Sequence, residues 1–190
     1  MNLFSKWLNE APLEIQGQQL KITAPAKTDY FINPVTGESV LNAPYYYEDV
    51  RGDFVLRTQV KHDFHSTFDA AALLVMENDH TWAKLCFELT DLGTKSIVSV
   101  VTHGVSDDAN GPNLETNTVW LQMARKGDVF AMHYSLDGQK FDMVRLFKLP
   151  VSDTVKVGIV AQSPTGDGLI CEFSDLMLKR EALQDLRKGV

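Results

Sequence analysis

Along most of the chain apolar residues recur at every second position in short runs rich in Val, Ile, Phe, Tyr and Thr, separated by Gly, Asn, Asp and Pro. That period is the signature of half-buried strands. It predicts strands over Gln19–Ala24, Tyr30–Asn33, Asp53–Lys61, Ala71–Met76, Thr81–Leu89, Lys95–His103, Thr118–Arg125, Val129–Ser135, Phe141–Lys148, Val155–Ala161 and Ile170–Lys179. Helical spacing is scarce. It is confined to Phe4–Asn9, with Ser5 as a cap, and Arg180–Lys188, where Leu183 and Leu186 fall three apart. The second stretch predicts a short C-terminal helix packed outside the strands. Turn signals at Lys126-Gly127-Asp128 and Asp137-Gly138 flank the run through Tyr134, so three consecutive strands there read as an antiparallel meander. Strands at regular spacing without interleaved helices predict an all-β fold: a two-sheet antiparallel β-sandwich of jelly-roll type, with residues 1–190 in one domain.

Composition narrows the classes. Hydrophobic residues make up 44% and charged residues 23% of 190, the balance of a globular protein. Eighteen basic against 25 acidic residues leave a net charge of −7, which argues against nucleic acid and against an anionic membrane surface as partners. The N-terminal stretch lacks the apolar core of a secretory signal, and no run approaches a membrane span, so a cytoplasmic location is expected. Cys86 and Cys171, far apart in sequence, are then expected as buried free thiols, the rival being one sheet-bridging disulfide.

Alternation also assigns faces. In Thr81–Leu89 the residues Ala83, Leu85, Phe87 and Leu89 share the apolar face, leaving Trp82, Lys84, Cys86 and Glu88 on the other. Val119, Leu121 and Met123 oppose Trp120, Gln122 and Ala124; Phe130, Met132 and Tyr134 oppose Ala131, His133 and Ser135. If these strands lie in one sheet, its non-core face carries Trp82, Lys84, Glu88, Trp120, Gln122 and His133. Such a face suits a sugar, whose C–H surface stacks on indole while its hydroxyls bond to polar side chains. The plainer alternative is that Trp82 and Trp120 pack beneath Tyr45–Tyr47 or beneath a long loop over 104–117.

Other chemistry is thinly represented. His62 and His65 fall on opposite faces of a strand, Asp107, Asp108 and Asn110 lack the spacing of a calcium loop, and no nucleotide-binding or thiol-pair motif occurs. No metal or cofactor is expected. A glycosidase needs two carboxyl groups, one with a raised pKa. Here only Glu88 is a candidate, with Asp69 or Asp107 as its partner in the fold. Its same-strand neighbour Lys84 would lower its pKa, favouring a plain Lys84–Glu88 pair at a sheet surface.

Several segments together resemble the domain-of-unknown-function 1349 (DUF1349) family, the regulation-of-enolase-protein-like family. They are Thr28-Asp29-Tyr30-Phe31, Gly52-Asp53-Phe54, Phe68-Asp69-Ala70-Ala71-Ala72-Leu73, Trp82-Ala83-Lys84 with Glu88, Ser99-Val100-Val101-Thr102, Tyr134-Ser135-Leu136-Asp137-Gly138, and Val157-Gly158-Ile159 with Ser163-Pro164 and Phe173. Their colinearity spans about residues 7–178. The resemblance implies a concanavalin-A-like lectin/glucanase sandwich of two antiparallel sheets and no established activity. Trp82, Lys84, Glu88 and Thr102 match the family pattern. The chain departs from it at Ala70–Leu74, Met76, Ser106-Asp107-Asp108 and Gln122, where polar or aromatic groups of the usual pattern are missing.

The expectation is a non-catalytic binding module. It holds a carbohydrate or small polyol on an open sheet face through Trp82, Lys84, Glu88, Thr102, Trp120, Gln122 and His133. A glycoside hydrolase using Glu88 and a regulatory domain that binds a protein partner are the alternatives. A homodimer formed through a sheet edge or face is compatible with any of these.

Overall fold

The computed structural model describes residues 3–190, and among these there are strands and turns but no α-helix. The strands are β1 (Lys6–Leu8), β2 (Leu13–Gln16), β3 (Gln19–Pro25), β4 (Tyr30–Ile32), β5 (Ser39–Leu41), β6 (Tyr45–Arg51), β7 (Phe54–His62) and β8 (Ala70–Asn78). They continue with β9 (Thr81–Leu89), β10 (Lys95–His103), β11 (Val105–Asn113), β12 (Thr118–Lys126), β13 (Val129–Ser135), β14 (Asp142–Lys148), β15 (Thr154–Gln162) and β16 (Gly168–Lys179). One seven-stranded sheet has the order β1-β6-β15-β8-β9-β10-β11, a second the order β14-β13-β12-β7-β16-β3-β2, and β4 with β5 forms a separate hairpin. All pairings are antiparallel, and β12, β13 and β14 form the expected meander. No described helix is long and apolar enough to cross a membrane.

The inward faces of the two sheets make the main core. Leu73, Leu85, Phe87, Ile97 and Ile159 of the first sheet meet Leu56, Val60, Leu121, Met123, Phe130 and Phe173 of the second. Each such side chain, removed from water, contributes about 2 kcal/mol. The alternation assigned to β9, β12 and β13 therefore places its apolar members correctly, except for Leu89, which lies at the end of β9 outside the cluster.

Three expectations need correction. Residues 180–190 form no helix; they run as turns across the outer face of the second sheet, because the apolar pair Leu183 and Leu186 lacks the wider stripe a helix needs to bury itself. Phe4–Asn9 is likewise extended, and contains β1 pairing with β6. The polar stretch 105–113, expected as loop, is an edge strand paired with β10. Its mostly exposed residues, with Pro112 near its end, suit a strand bonded on one side only.

The first sheet differs from the usual one-sided sandwich layer in being covered on both faces. Segment 26–44, which carries β4 and β5, folds over its outer surface and creates a second apolar cluster of Tyr30, Ile32, Ala72, Leu74, Met76, Trp82, Val98 and Val100. β8 and β9 are accordingly buried at nearly every position. The closure is pinned where the Ile32 amide donates to Ser106 Oγ at 2.9 Å, and Ser106 in turn shares a hydrogen bond with Thr102 Oγ1 at 2.9 Å.

Candidate functional site

Between this flap and the sheet lies a cavity of about 120 Å³, lined by Asp29 and Phe31 of the flap, Phe68 of the β7–β8 loop, Lys84 and Glu88 of β9, Val98 and Val100 of β10, Asp108 of β11 and Gln162 of β15. Strand registry brings its polar members together: Val100 pairs with Lys84 on one side and Asp108 on the other.

Lys84 is almost sealed from solvent, and its ammonium donates to Asp29 Oδ1 at 3.0 Å and to Gln162 Oε1 at 3.0 Å. Gln162 Nε2 then donates to the Phe68 carbonyl at 3.3 Å, so flap, sheet and loop share one network. Burial alone would push the Lys84 pKa down, but the adjoining Asp29, with Cys86 and Glu88 nearby, more than offsets it and holds the ammonium charged.

Glu88 behaves differently. It is 7% exposed, and among the described residues no hydrogen bond or ion pair engages its carboxyl. Every fully sealed polar side-chain atom among those residues is bonded, so the Glu88 oxygens open onto the cavity. Burial pushes its pKa up to about 8; Lys84 opposes the rise, while Asp29, Asp108 and Asp91 add to it. At neutral pH the group is mostly a neutral acid. The expected surface Lys84–Glu88 pair is thus corrected on both counts: both residues are buried, and Lys84 pairs with Asp29.

The other expected site residues lie elsewhere. Trp82 has no exposed surface; it packs edge-on against Tyr30 at 6.1 Å, and its Nε1 donates to the Asp79 carbonyl at 3.2 Å. It cannot stack on a sugar, and the sheet face expected to be open is closed by the flap. Thr102 is spent on Ser106. Trp120, Gln122 and His133 belong to the second sheet, on the far side of the sandwich from Glu88, so the condition that one sheet holds all these strands is not met. Gln122 Oε1 accepts from Arg57 Nε at 2.8 Å, and its Nε2 donates to the Gly189 carbonyl at 3.2 Å. His133 Nε2 bonds to the Leu186 carbonyl at 2.7 Å. Both side chains serve to fasten residues 185–190, and burial lowers the pKa of His133.

Of the residues proposed to bind ligand, only Lys84 and Glu88 line the cavity. Asp29, Phe31, Phe68 and Gln162 join them without having been singled out, although Asp29, Phe31 and Phe68 sit within family-like segments, and Asp108, weighed above only for calcium, joins them too. The two carboxylates named as partners for Glu88 are occupied: Asp69 accepts from Ser163 Oγ at 2.7 Å, and Asp107 pairs with Arg145 at 3.0 Å. Cys86 and Cys171 are buried free thiols. No group of three or more His, Cys, Asp or Glu able to hold a metal occurs among the described residues.

Two packed seven-stranded antiparallel sheets define a lectin-type β-sandwich, and lectin I-B4 from Griffonia simplicifolia in its metal-free form shares it, with a TM-score of 0.55, 11% identity and 91% and 92% of the two chains covered. The GH43 protein BlXynB of Bacillus licheniformis shares the fold over 86% of this chain and 33% of its own, with a TM-score of 0.68 and 12% identity. More narrowly, the chain belongs to the family described as "Protein of unknown function (DUF1349)", whose model matches residues 7–181. "Regulation of enolase protein 1" of Saccharomyces cerevisiae is 29% identical over 188 residues, 95% of this chain and 93% of that one. A crystal structure of a functionally unknown protein from the same yeast superposes with a TM-score of 0.87 at 25% identity, covering 95% of this chain and 97% of the other.

Proposed function

We propose that this chain is a non-catalytic binding domain whose ligand is a small polyhydroxyl compound, no larger than one sugar ring, held in the cavity beneath the flap. The observation that carries this reading is Glu88, a carboxyl 7% exposed that faces a cavity without a protein partner. The protein leaves its oxygens free and open to the cavity, where a ligand hydroxyl can bond to them. Around it stand the donors and acceptors of Lys84, Gln162, Asp29 and Asp108, with Phe31, Phe68, Val98 and Val100 as apolar walls for ring carbons. With about 120 Å³ of space and an opening to solvent, the cavity suits a single compact solute. The unlinked buried thiols suit a reducing compartment such as the cytoplasm.

A hydrolase is the second reading, favoured by the acidic groups Asp29 and Asp108 that share the cavity with Glu88. Asp29 is committed to Lys84, which leaves the solvent-exposed Asp108 as the one lining carboxylate able to act with Glu88. Binding is the better account.

Thermal-shift titration against monosaccharides and short polyols tests it. A ligand at about 100 times its Kd stabilises by about 2.7 kcal/mol, or about 5–10 °C for a chain of this size. Val98→Phe, which fills the cavity, is expected to abolish the shift. A panel without any saturable shift, or a shift that survives Val98→Phe, overturns the reading.

A further inference from the structure

The ionisable groups that line the cavity are mostly acidic. Lys84 is neutralised by Asp29 at 3.0 Å, which leaves Glu88 on β9 and Asp108 on β11. Among the described residues neither has an ion-pair partner, and no other cation lines the cavity. The unpartnered Glu88 is more than nine-tenths buried and opens onto this space. Phe31 and Phe68 add aromatic surface, which attracts organic cations and repels anions.

We infer that the ligand carries a protonated amine: it is an amino sugar or similarly small hydroxylated amine, with its ammonium beside Glu88 and Asp108 and its hydroxyls on Lys84 and Gln162. This rests on the binding reading above and names the ligand class for the same site. Two acidic groups without a counterion disfavour phosphorylated and carboxylated sugars, and the chain's net charge of −7 adds a weak long-range preference of the same sign. A neutral sugar satisfies the hydrogen bonds but offers Glu88 and Asp108 no cation to pair with. Arrival of an ammonium beside Glu88 favours its ionised form, so binding near pH 7 releases the carboxyl proton to the buffer.

Titration calorimetry with glucosamine and glucose, at a pH low enough to keep the amine charged, tests the inference in buffers of differing ionisation enthalpy. Glucosamine is expected to bind at least about tenfold more tightly, as one hydrogen bond to a charged group provides. Its apparent heat should vary with the buffer in the sense of proton release. Glu88→Gln and the surface variant Asp108→Asn should each remove most of that preference, glucosamine affinity falling several-fold further than glucose affinity, an outcome that loss of folding cannot imitate. Glucose binding as tightly as glucosamine, with both displaced by Val98→Phe, overturns the amine inference and leaves the binding reading standing. Failure of both sugars and of the wider panel removes the binding reading, and the inference with it.

Discussion

Replacing Asp29 with Asn keeps the size of the side chain and its acceptor for the Tyr30 amide at 2.7 Å, but removes the charge facing Lys84. The Lys84 side chain is 3% exposed and that of Asp29 19%, so the ammonium has little water to turn to. Breaking a buried pair by removing one partner costs about 3–5 kcal/mol; because Asp29 keeps partial contact with solvent, the lower end, about 3 kcal/mol, is expected. For a chain of this size that is about 6–12 °C in melting temperature. Lys84→Met alone should cost less, since the partly exposed carboxylate can rehydrate, and the double variant should recover about 2 kcal/mol of the summed losses. Urea denaturation at pH 7 of the parent, both single variants and the double variant gives the cycle. Hydrogen exchange would locate the effect, with amides of Tyr30–Leu41 exchanging faster in Asp29→Asn because the flap loses its anchor. An Asp29→Asn penalty below about 1 kcal/mol, or strictly additive losses, would refute the view that this pair holds the flap on the sheet.

Glu88 has a folded-state pKa near 8, above its ordinary value, so its contribution to stability is fully present below pH 4.5 and is lost as pH rises through 8. Glu88→Gln should therefore raise stability at pH 8.5 by on the order of 2 kcal/mol while changing it little at pH 5, measured by denaturant midpoints; equal effects at both pH values would count against the assignment. Gly158 lies where an added Cβ would sit 2.1 Å from the Tyr46 carbonyl oxygen, so Gly158→Ala should destabilise β15 by about 3 kcal/mol or prevent soluble expression. Deleting residues 185–190 strips the cover from His133, whose pKa is lowered mainly by burial, and its titration midpoint followed by NMR should rise. An unmoved midpoint would show that the tail does not shield the ring.

The strands that sequence pattern reveals best are those whose side chains alternate in kind. β9, β12 and β13 fall at or within a residue of their expected bounds because large apolar side chains on the face between the sheets alternate with polar or mixed ones on the other. β6 escaped notice because Tyr45, Tyr46 and Tyr47 are all buried, which leaves no alternation to read. β11 escaped because an edge strand bonded to one neighbour can be polar throughout. The site was half legible. Alternation along β9 is enough to put Lys84 and Glu88 on one face, but nothing local ties residue 29 to residue 84 or residue 162, since those contacts arise only when the flap closes. Placing Gln122 and His133 beside them failed because alternation fixes which face of a strand a residue occupies, not which sheet the strand joins.

One sequence feature, read as a departure from the family pattern, gains its physical meaning from the flap. Ala70-Ala71-Ala72-Leu73-Leu74-Val75-Met76 is apolar at every position, the pattern of a strand covered on both faces, and β8 is buried throughout that run. A second cluster built over such a strand has no use for polar groups unless they satisfy one another. Lys84, Asp29 and Gln162 do so, and the fold tolerates them as a closed network. Glu88 does not, although Leu or Met at that position would fill the same space and extend the apolar cluster. Stability therefore gives no account of this residue. The ligand proposed above would, because the protein leaves this carboxyl free to bond to a donor that enters the cavity.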